Sequence, residues 1–217
     1  MRTLRIGTRG SLLAKWQAEF VRKQLFAATG VEAEIVIIKT SGDRMQQAPL
    51  TQIGGKGIFI KELEDALLEE SVDLAVHSVK DIPTDTPSRL CFPAVCRRDD
   101  VRDCLISPKG MTLANLREGA RVGTSSLRRH AQLKHIRPDL DVRDLRGNVD
   151  TRLRKVESGE YDAILLAKAG LDRLGWSQRI TEILAPEVCM PAVGQGAIAV
   201  EARLNDAARR SLAADLD

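Results

Sequence analysis

The chain carries one short device twice, and that repetition narrows what it can fold into. Arg5-Ile6-Gly7-Thr8-Arg9-Gly10-Ser11-Leu12 is echoed past the middle by Arg121-Val122-Gly123-Thr124-Ser125-Ser126-Leu127, with one residue fewer before the serine and leucine. Each copy reads as a short strand, a Gly-Thr turn and a serine that caps a following helix. A helix N-terminus presents free N–H groups and the positive end of its dipole, so each copy is also a ready anion site. Two such units, far apart in the chain, predict two α/β lobes. At 217 residues the chain is long enough for two modest cores.

In the first lobe the pattern predicts a strand over Leu4 to Ile6, a turn at Gly7-Thr8-Arg9-Gly10, and a helix from Ser11 with Leu13, Trp16, Phe20 and Val21 on its apolar face. A strand follows at Val31 to Lys39. The polar connection through Gly42-Asp43 to Gly54-Gly55-Lys56-Gly57 is long and glycine-rich, which predicts a mobile, functional loop. Phe59 to Glu70 has helical period, and Val72 to Val76 is an apolar strand that runs into His77-Ser78-Val79-Lys80-Asp81-Ile82-Pro83. Polar residues just beyond a strand's carboxyl end are where open α/β sheets place ligands.

The second lobe reads as a helix over Leu127 to Ile136, a strand over Val142 to Leu145, a helix over Val149 to Glu157 and a strand over Tyr161 to Leu166. Such alternation predicts mostly parallel sheets. Beyond Pro186 and Pro191, a strand at Ala197 to Glu201 and a helix from Asp206 to Leu216 are expected to cross back onto the first lobe. Two crossings between lobes make a hinge.

Arginines gather at strand ends and helix starts: Arg9, Arg128, Arg129, Arg146, Arg152 and Arg173. Guanidinium groups in such places suit paired carboxylates or phosphates. The formal charge is only +3 and aromatic residues make up 3%, so a polyanion finds no global field and single-stranded nucleic acid finds few stacking platforms. No stretch has the length or apolarity of a membrane span or a signal peptide, which points to the cytoplasm. Cys91, Cys96, Cys104 and Cys189 form no C-x-x-C pair and read as structural thiols, with no metal site. Asp81 sits beside Lys80 and just before Pro83. It reads either as a turn aspartate or as an acid held among cations, able to stabilise a cationic intermediate or pass a proton. His77, on the opposite face from Ser78, reads as a packed residue rather than a catalyst. There is no G-x-S-x-G elbow, G-x-G-x-x-G or Walker loop, so covalent serine and nucleotide mechanisms drop out.

Four strings, His77-Ser78-Val79-Lys80-Asp81-Ile82-Pro83, Gly123-Thr124-Ser125-Ser126-Leu127-Arg128-Arg129, Leu145-Arg146-Gly147-Asn148 and Pro191-Ala192-Val193-Gly194-Gln195-Gly196, together resemble the porphobilinogen deaminase family, also called hydroxymethylbilane synthases. The resemblance runs in register from Arg5-Ile6-Gly7-Thr8-Arg9 to the end of the chain. It implies a two-lobed, periplasmic-binding-protein-like (type II) α/β fold, each lobe a mostly parallel sheet flanked by helices, with a hinge between them. The implied domains are residues 1–98 plus 196–217 and residues 102–192. The implied activity is a cytoplasmic transferase of tetrapyrrole and haem biosynthesis, which condenses porphobilinogens head to tail on a dipyrromethane primer and releases ammonia at each step. Every pyrrole ring then carries an acetate and a propionate, which would account for the arginines.

By position, Asp81 matches the family's catalytic aspartate, which assists ammonia loss and stabilises the positively charged pyrrole. Arg9, Ser11, Gln17, Arg146, Arg152, Arg173 and Gln195 match substrate-side positions, Gln195 on the hinge side. Ser78, Lys80, Thr124, Ser126, Arg128 and Arg129 match positions that grip the dipyrromethane, and Lys56 falls on the mobile loop. Two departures stand out: Leu12 replaces a common proline, and the chain stops at Asp217, before the family's third domain with its primer-anchoring cysteine. The resemblance therefore also admits a binder of porphobilinogen, dipyrromethane or linear tetrapyrrole without turnover, acting as a homo-oligomer or with a separate third-domain partner.

Overall fold

The computed structural model describes residues 3–40, 60–214 and 216. Lys56 lies outside the described residues. The chain divides into two compact units, Met1–Arg98 with Ala197–Asp217, and Asp99–Gly196.

In the first unit, β1 (Leu4–Arg9), β2 (Ala33–Ile38), β3 (Leu74–Ser78), β4 (Leu90–Val95) and β10 (Ile198–Arg203) form one sheet in the order β2-β1-β3-β10-β4. Alternate residues along a strand face opposite sides, so the sheet supports two apolar layers. On one side, Leu4, Ile6, Leu74, Val76, Ile198 and Val200 pack against Ala18, Val21 and Leu25 of α1 (Leu12–Thr29). On the other, Ala75, Val72 and Leu90 meet Leu63, Ala66 and Leu67 of α2 (Lys61–Leu68). The second unit repeats the plan with β5 (Asp103–Ile106), β6 (Arg121–Gly123), β7 (Asp141–Arg143), β8 (Ala163–Ala167) and β9 (Glu182–Ile183) in the order β7-β6-β8-β5-β9. Its helices are α3 (Leu127–Ile136), α4 (Val149–Glu157) and α5 (Lys168–Arg173), and α6 (Ala207–Ala214) closes the first unit. Among the described residues no helix is long and apolar enough to cross a membrane.

The sheets are mixed rather than mostly parallel. In the first, β1 runs parallel to β2 and β3, whereas β10 runs antiparallel to β3 and β4. In the second, β6 is parallel to β7 and β8, and β5 is antiparallel to β8 and β9. The cause is where the chain re-enters: Ile198 starts β10 opposite Ser78, the last residue of β3, and Asp103 starts β5 opposite Ala167, the last residue of β8. A strand that begins beside its neighbour's end can only run back along it.

The repeated device also differs from its expected form. Gly7, Thr8 and Arg9 belong to β1, and the turn shrinks to Gly10-Ser11. Gly7 serves packing: a Cβ there would lie 3.1 Å from Val72 Cγ2, and at Gly123 it would lie 2.8 Å from Tyr161 Cδ1. The leading arginine of each copy is a clamp. Arg5 N–H donates to Asp73 Oδ2 at 2.9 Å and Arg5 Nη2 to Glu70 O at 2.6 Å; Arg121 N–H donates to Asp162 Oδ2 at 2.9 Å and Arg121 Nη2 to Gly159 O at 2.9 Å. Asp73 and Asp162 N–H each return a bond of 2.8 Å to the arginine carbonyl. The units are thus built alike down to the bonds that join β1 to the start of β3 in one and β6 to the start of β8 in the other.

Candidate functional site

In the first unit a pocket opens where β1 and β3 end. Its polar lining is Arg9, Ser11, Gln17, His77, Ser78 and Asp81, over an apolar floor of Leu13, Ile60, Leu63 and Val76. Arg9 is the last residue of β1. Ser11 caps α1, its Oγ accepting from Ala14 N–H at 3.2 Å. Gln17, buried on α1, exchanges hydrogen bonds with Ser78 Oγ at 2.9 and 3.2 Å, joining α1 to the end of β3. One turn of 3₁₀ helix, Val79–Asp81, then lifts Asp81 to the pocket's exposed edge, with Lys80 beside it. Five residues expected from sequence to serve the ligand, Arg9, Ser11, Gln17, Ser78 and Asp81, therefore share one pocket. Beneath it His77 Nε2 lies 2.9 Å from Glu201 Oε2.

The second unit uses the same device for different chemistry. Ser126 caps α3 by accepting from Arg129 N–H at 3.4 Å, and Thr124 Oγ1 accepts from Ser126 N–H at 3.2 Å. Aligned in sequence on their clamps, the two copies set Gly170 against Asp81 and Ala167 against Ser78, and Arg128 and Arg129 against Leu13 and Ala14. One copy keeps the acid; the other has gained cations.

Those cations are organised by a residue that sequence reasoning missed. Asp103, fully buried at the start of β5, accepts from Arg128 Nη2 at 2.7 Å, Arg129 Nη2 at 2.7 Å and Gln195 Nε2 at 2.8 Å. Burial alone would raise the Asp103 carboxyl, but the Arg129, Arg128 and Gln195 bonds outweigh it and hold the group at about 2. Arg129 also bonds Leu165 O at 3.2 Å, and its Nε is buried with no hydrogen-bond partner among the described residues. Arg128 reaches Met190 O with its other nitrogen and stays partly exposed. The only sequence signal for Asp103 is its place after Asp99-Asp100-Val101-Arg102, a charged run that does not reveal which acid turns inward.

The remaining expected residues are distributed over this unit. Arg146 follows the buried Leu145, and Arg152 Nε donates to Gly147 O at 2.7 Å, where φ is +109°. Arg173 is turned inward, with Nε 2.9 Å from Asp99 Oδ2 and Nη2 2.7 Å from Gly196 O. Gln195 also donates to Val101 O at 2.7 Å. Burial pushes the Cys104 thiol up to about 12, and burial together with the neighbouring Asp103 pushes Cys189 up to about 11. Burial raises Cys91 as well. Thiols held protonated in this way are poor nucleophiles.

Gly196 closes the Gln195 turn at φ +89°, and a Cβ there would lie 2.6 Å from the Asp99 carbonyl oxygen. Left-handed backbone and a backbone clash both oppose a side chain, so Gly196→Ala is expected to cost about 2–5 kcal/mol of stability. Denaturant unfolding checks this, the midpoint falling relative to wild type.

A family model described as "Porphobilinogen deaminase, dipyromethane cofactor binding domain" matches residues 4–211. A curated porphobilinogen deaminase of Syntrophotalea carbinolica is 53% identical over 204 residues, covering 94% of this chain and 65% of the relative. One from Syntrophobacter fumaroxidans is 49% identical over 216 residues, covering 99% and 70%. The chain thus spans about two thirds of the length of these relatives. Among solved structures, a methionine-binding protein, MetQ, aligns with TM-score 0.59 at 9% identity, covering 99% of this chain and 89% of that one. A periplasmic substrate-binding protein from Coxiella burnetii aligns with TM-score 0.58 at 15% identity, covering 99% and 92%. These neighbours share the type II periplasmic-binding-protein fold.

Proposed function

Because the chain belongs to the porphobilinogen deaminase family, we propose that it binds pyrrole polycarboxylates and condenses porphobilinogen with loss of ammonia, as a hydroxymethylbilane synthase of tetrapyrrole biosynthesis. The observation that carries this reading is the first unit's pocket, where Asp81 stands at the edge of a site that also holds Arg9, Ser11, Gln17 and Ser78. Arg9 pairs with a carboxylate of the incoming ring, and the Gln17–Ser78 bond fixes the wall against which the ring lies. The Asp81 carboxylate faces the aminomethyl group and stabilises the pyrrolic cation left when ammonia departs. In the second unit, Arg146 and Arg152 carry guanidinium groups of the kind that suit a carboxylate.

The residues present suit a dipyrromethane. Its four carboxylates call for cations and hydroxyls; the second unit by itself offers Arg128, Thr124 and Ser126 at a helix N-terminus, and the first by itself offers Ser78 and Lys80. When bound, that group supplies the pyrrole position to which the next ring is joined. Arg129, Arg173 and Gln195 act from behind: Arg129 and Gln195 hold Asp103, and Arg173 ties Asp99 to Gly196. Burial holds the Cys104 and Cys189 thiols up to about 12 and about 11 and raises Cys91, which disfavours the thiolate that a covalent bond to a pyrrole would need.

Calorimetric titration with a dipyrromethane tetracarboxylic acid and with its tetramethyl ester tests the reading. The acid is expected to bind and the ester not, and Arg146→Ala to weaken the acid by about 10- to 100-fold, the worth of one bidentate charged pair. Equal binding of acid and ester would reject a polycarboxylate site.

A further inference from the structure

A buried acid and base beneath the Asp81 pocket take no part in the roles above, and we infer that His77 and Glu201 together hold the proton that passes from carbon to nitrogen each time a ring is added. The inference rests on the condensation proposed above.

His77 lines the pocket, yet its side chain is almost wholly buried, and its Nε2 lies 2.9 Å from Glu201 Oε2. Glu201 comes from β10, the strand that returns from the other unit. Ala199 pairs with His77 and Glu201 with Ala75, so Glu201 is the diagonal neighbour of His77 on the same face. It is 0% exposed, and its Oε1 is buried with no hydrogen-bond partner among the described residues. The Phe92 ring of β4 stands edge-on to the imidazole at 6.2 Å. Among the described residues the charged and titratable neighbours include Glu64 from α2 and Cys91 from β4, with Asp81 and Arg9 in the pocket itself. Glu64 is raised first by burial and then by the negative charge of Glu201, while His77 opposes that rise.

Stability does not account for this cluster. The surrounding layer is Leu63, Leu67, Val72, Ala75 and Leu90. Replacing a buried ion pair by an apolar pair of similar volume is often neutral or stabilising, whereas a buried carboxylate with one oxygen unbonded is a liability. Buried polar groups of this kind, next to a pocket, mark a task.

The chemistry supplies one. In the proposed step the C–N bond of the protonated aminomethyl group breaks, and its electron pair leaves with nitrogen as ammonia. The methylene carbon then bonds to the free α carbon of the acceptor pyrrole. The C–H bond there breaks, and its electron pair restores the aromatic ring. The freed proton ends on ammonia, so the products are the joined rings and ammonium, with no oxidant or other reactant. Asp81 must stay ionised to face the cation, and a proton parked on it would remove that charge. The His77 imidazole takes the proton, the Glu201 carboxylate stabilises the imidazolium, and departing ammonia collects it. His77 is then the proton carrier and Glu201 its positioning residue.

His77→Gln and Glu201→Gln, made in the full chain, test this through ammonia release across pH, porphobilinogen binding by calorimetry and thermal melting. Each is expected to lower turnover at saturating substrate by about 10²-fold or more, to leave the dissociation constant within about threefold, no more than the low end of what one hydrogen bond contributes, and to abolish the same limb of the pH–rate curve. Glu201→Asp should recover part of the rate. Glu201→Gln keeps both shape and hydrogen-bonding capacity, so it decides the matter if His77→Gln fails to fold. Folded glutamine variants with wild-type turnover and an unchanged pH curve would overturn the relay. If the wild-type chain released no ammonia, the condensation itself would fall, and the relay with it.

Discussion

Asp81→Asn should lower ammonia release from porphobilinogen by about 10²- to 10⁴-fold, the range spanned by the loss of a positioned acid–base or charge-stabilising group. The same change should leave dipyrromethane binding within a few-fold of wild type. Asparagine keeps the size of the side chain and its place on the 3₁₀ turn after β3, but it cannot present a negative charge to a pyrrolic cation. Asp81 is solvent-exposed at the pocket edge, so its replacement carries little folding penalty and the effect should fall on kcat. Steady-state kinetics together with calorimetry separate the two quantities. Turnover equal to wild type would take the carboxylate out of the chemistry.

Asp103→Asn should act on stability instead. The substitution preserves volume but leaves Arg129 buried and Arg128 part-buried without their counter-charge. Removing one partner of a buried charged pair typically costs about 3–5 kcal/mol, or about 6–20 °C in Tm for a chain of this size. A carboxyl held at about 2 instead of 3.8 points to a contribution on the order of 2 kcal/mol by itself. Since the folded-state value lies below the unfolded one, that contribution is complete above about pH 4 and is lost as pH falls towards 2. Wild-type Tm should therefore decline over this window, and the decline should be shallower in Asp103→Asn. A variant as stable as wild type, with the same acid limb, would show that Asp103 does not organise the arginines.

The sequence was most legible where local chemistry decides. Helices α3 and α4 begin and end where periodicity places them, the first behind the Ser126 cap. Strand β4 escaped notice because Pro93 sits inside it; the structure tolerates that proline because β4 is an edge strand. Strands β5 and β9 are only 4 and 2 residues long, too short for a periodic signal. The antiparallel entries of β5 and β10 depend on where the chain crosses between units, which no window of residues reveals. The Asp81 pocket could be anticipated from residues that flank strand ends. The partners Asp103 and Glu201 could not, because each meets its site through contacts remote in sequence: Asp103 with Gln195, and Glu201 with His77. In sequence, Glu201 is one acid in the otherwise apolar run Ile198–Ala202. That mismatch with an apolar strand was the available clue.

Mixing the chain with porphobilinogen and a dipyrromethane acceptor, and following both ammonia and the mass of the pyrrole product, tests most directly whether the Asp81 pocket joins pyrrole rings. One ammonia released for each ring added is the predicted result. Acceptor bound by the chain, with no ammonia released and no ring gained, would contradict it.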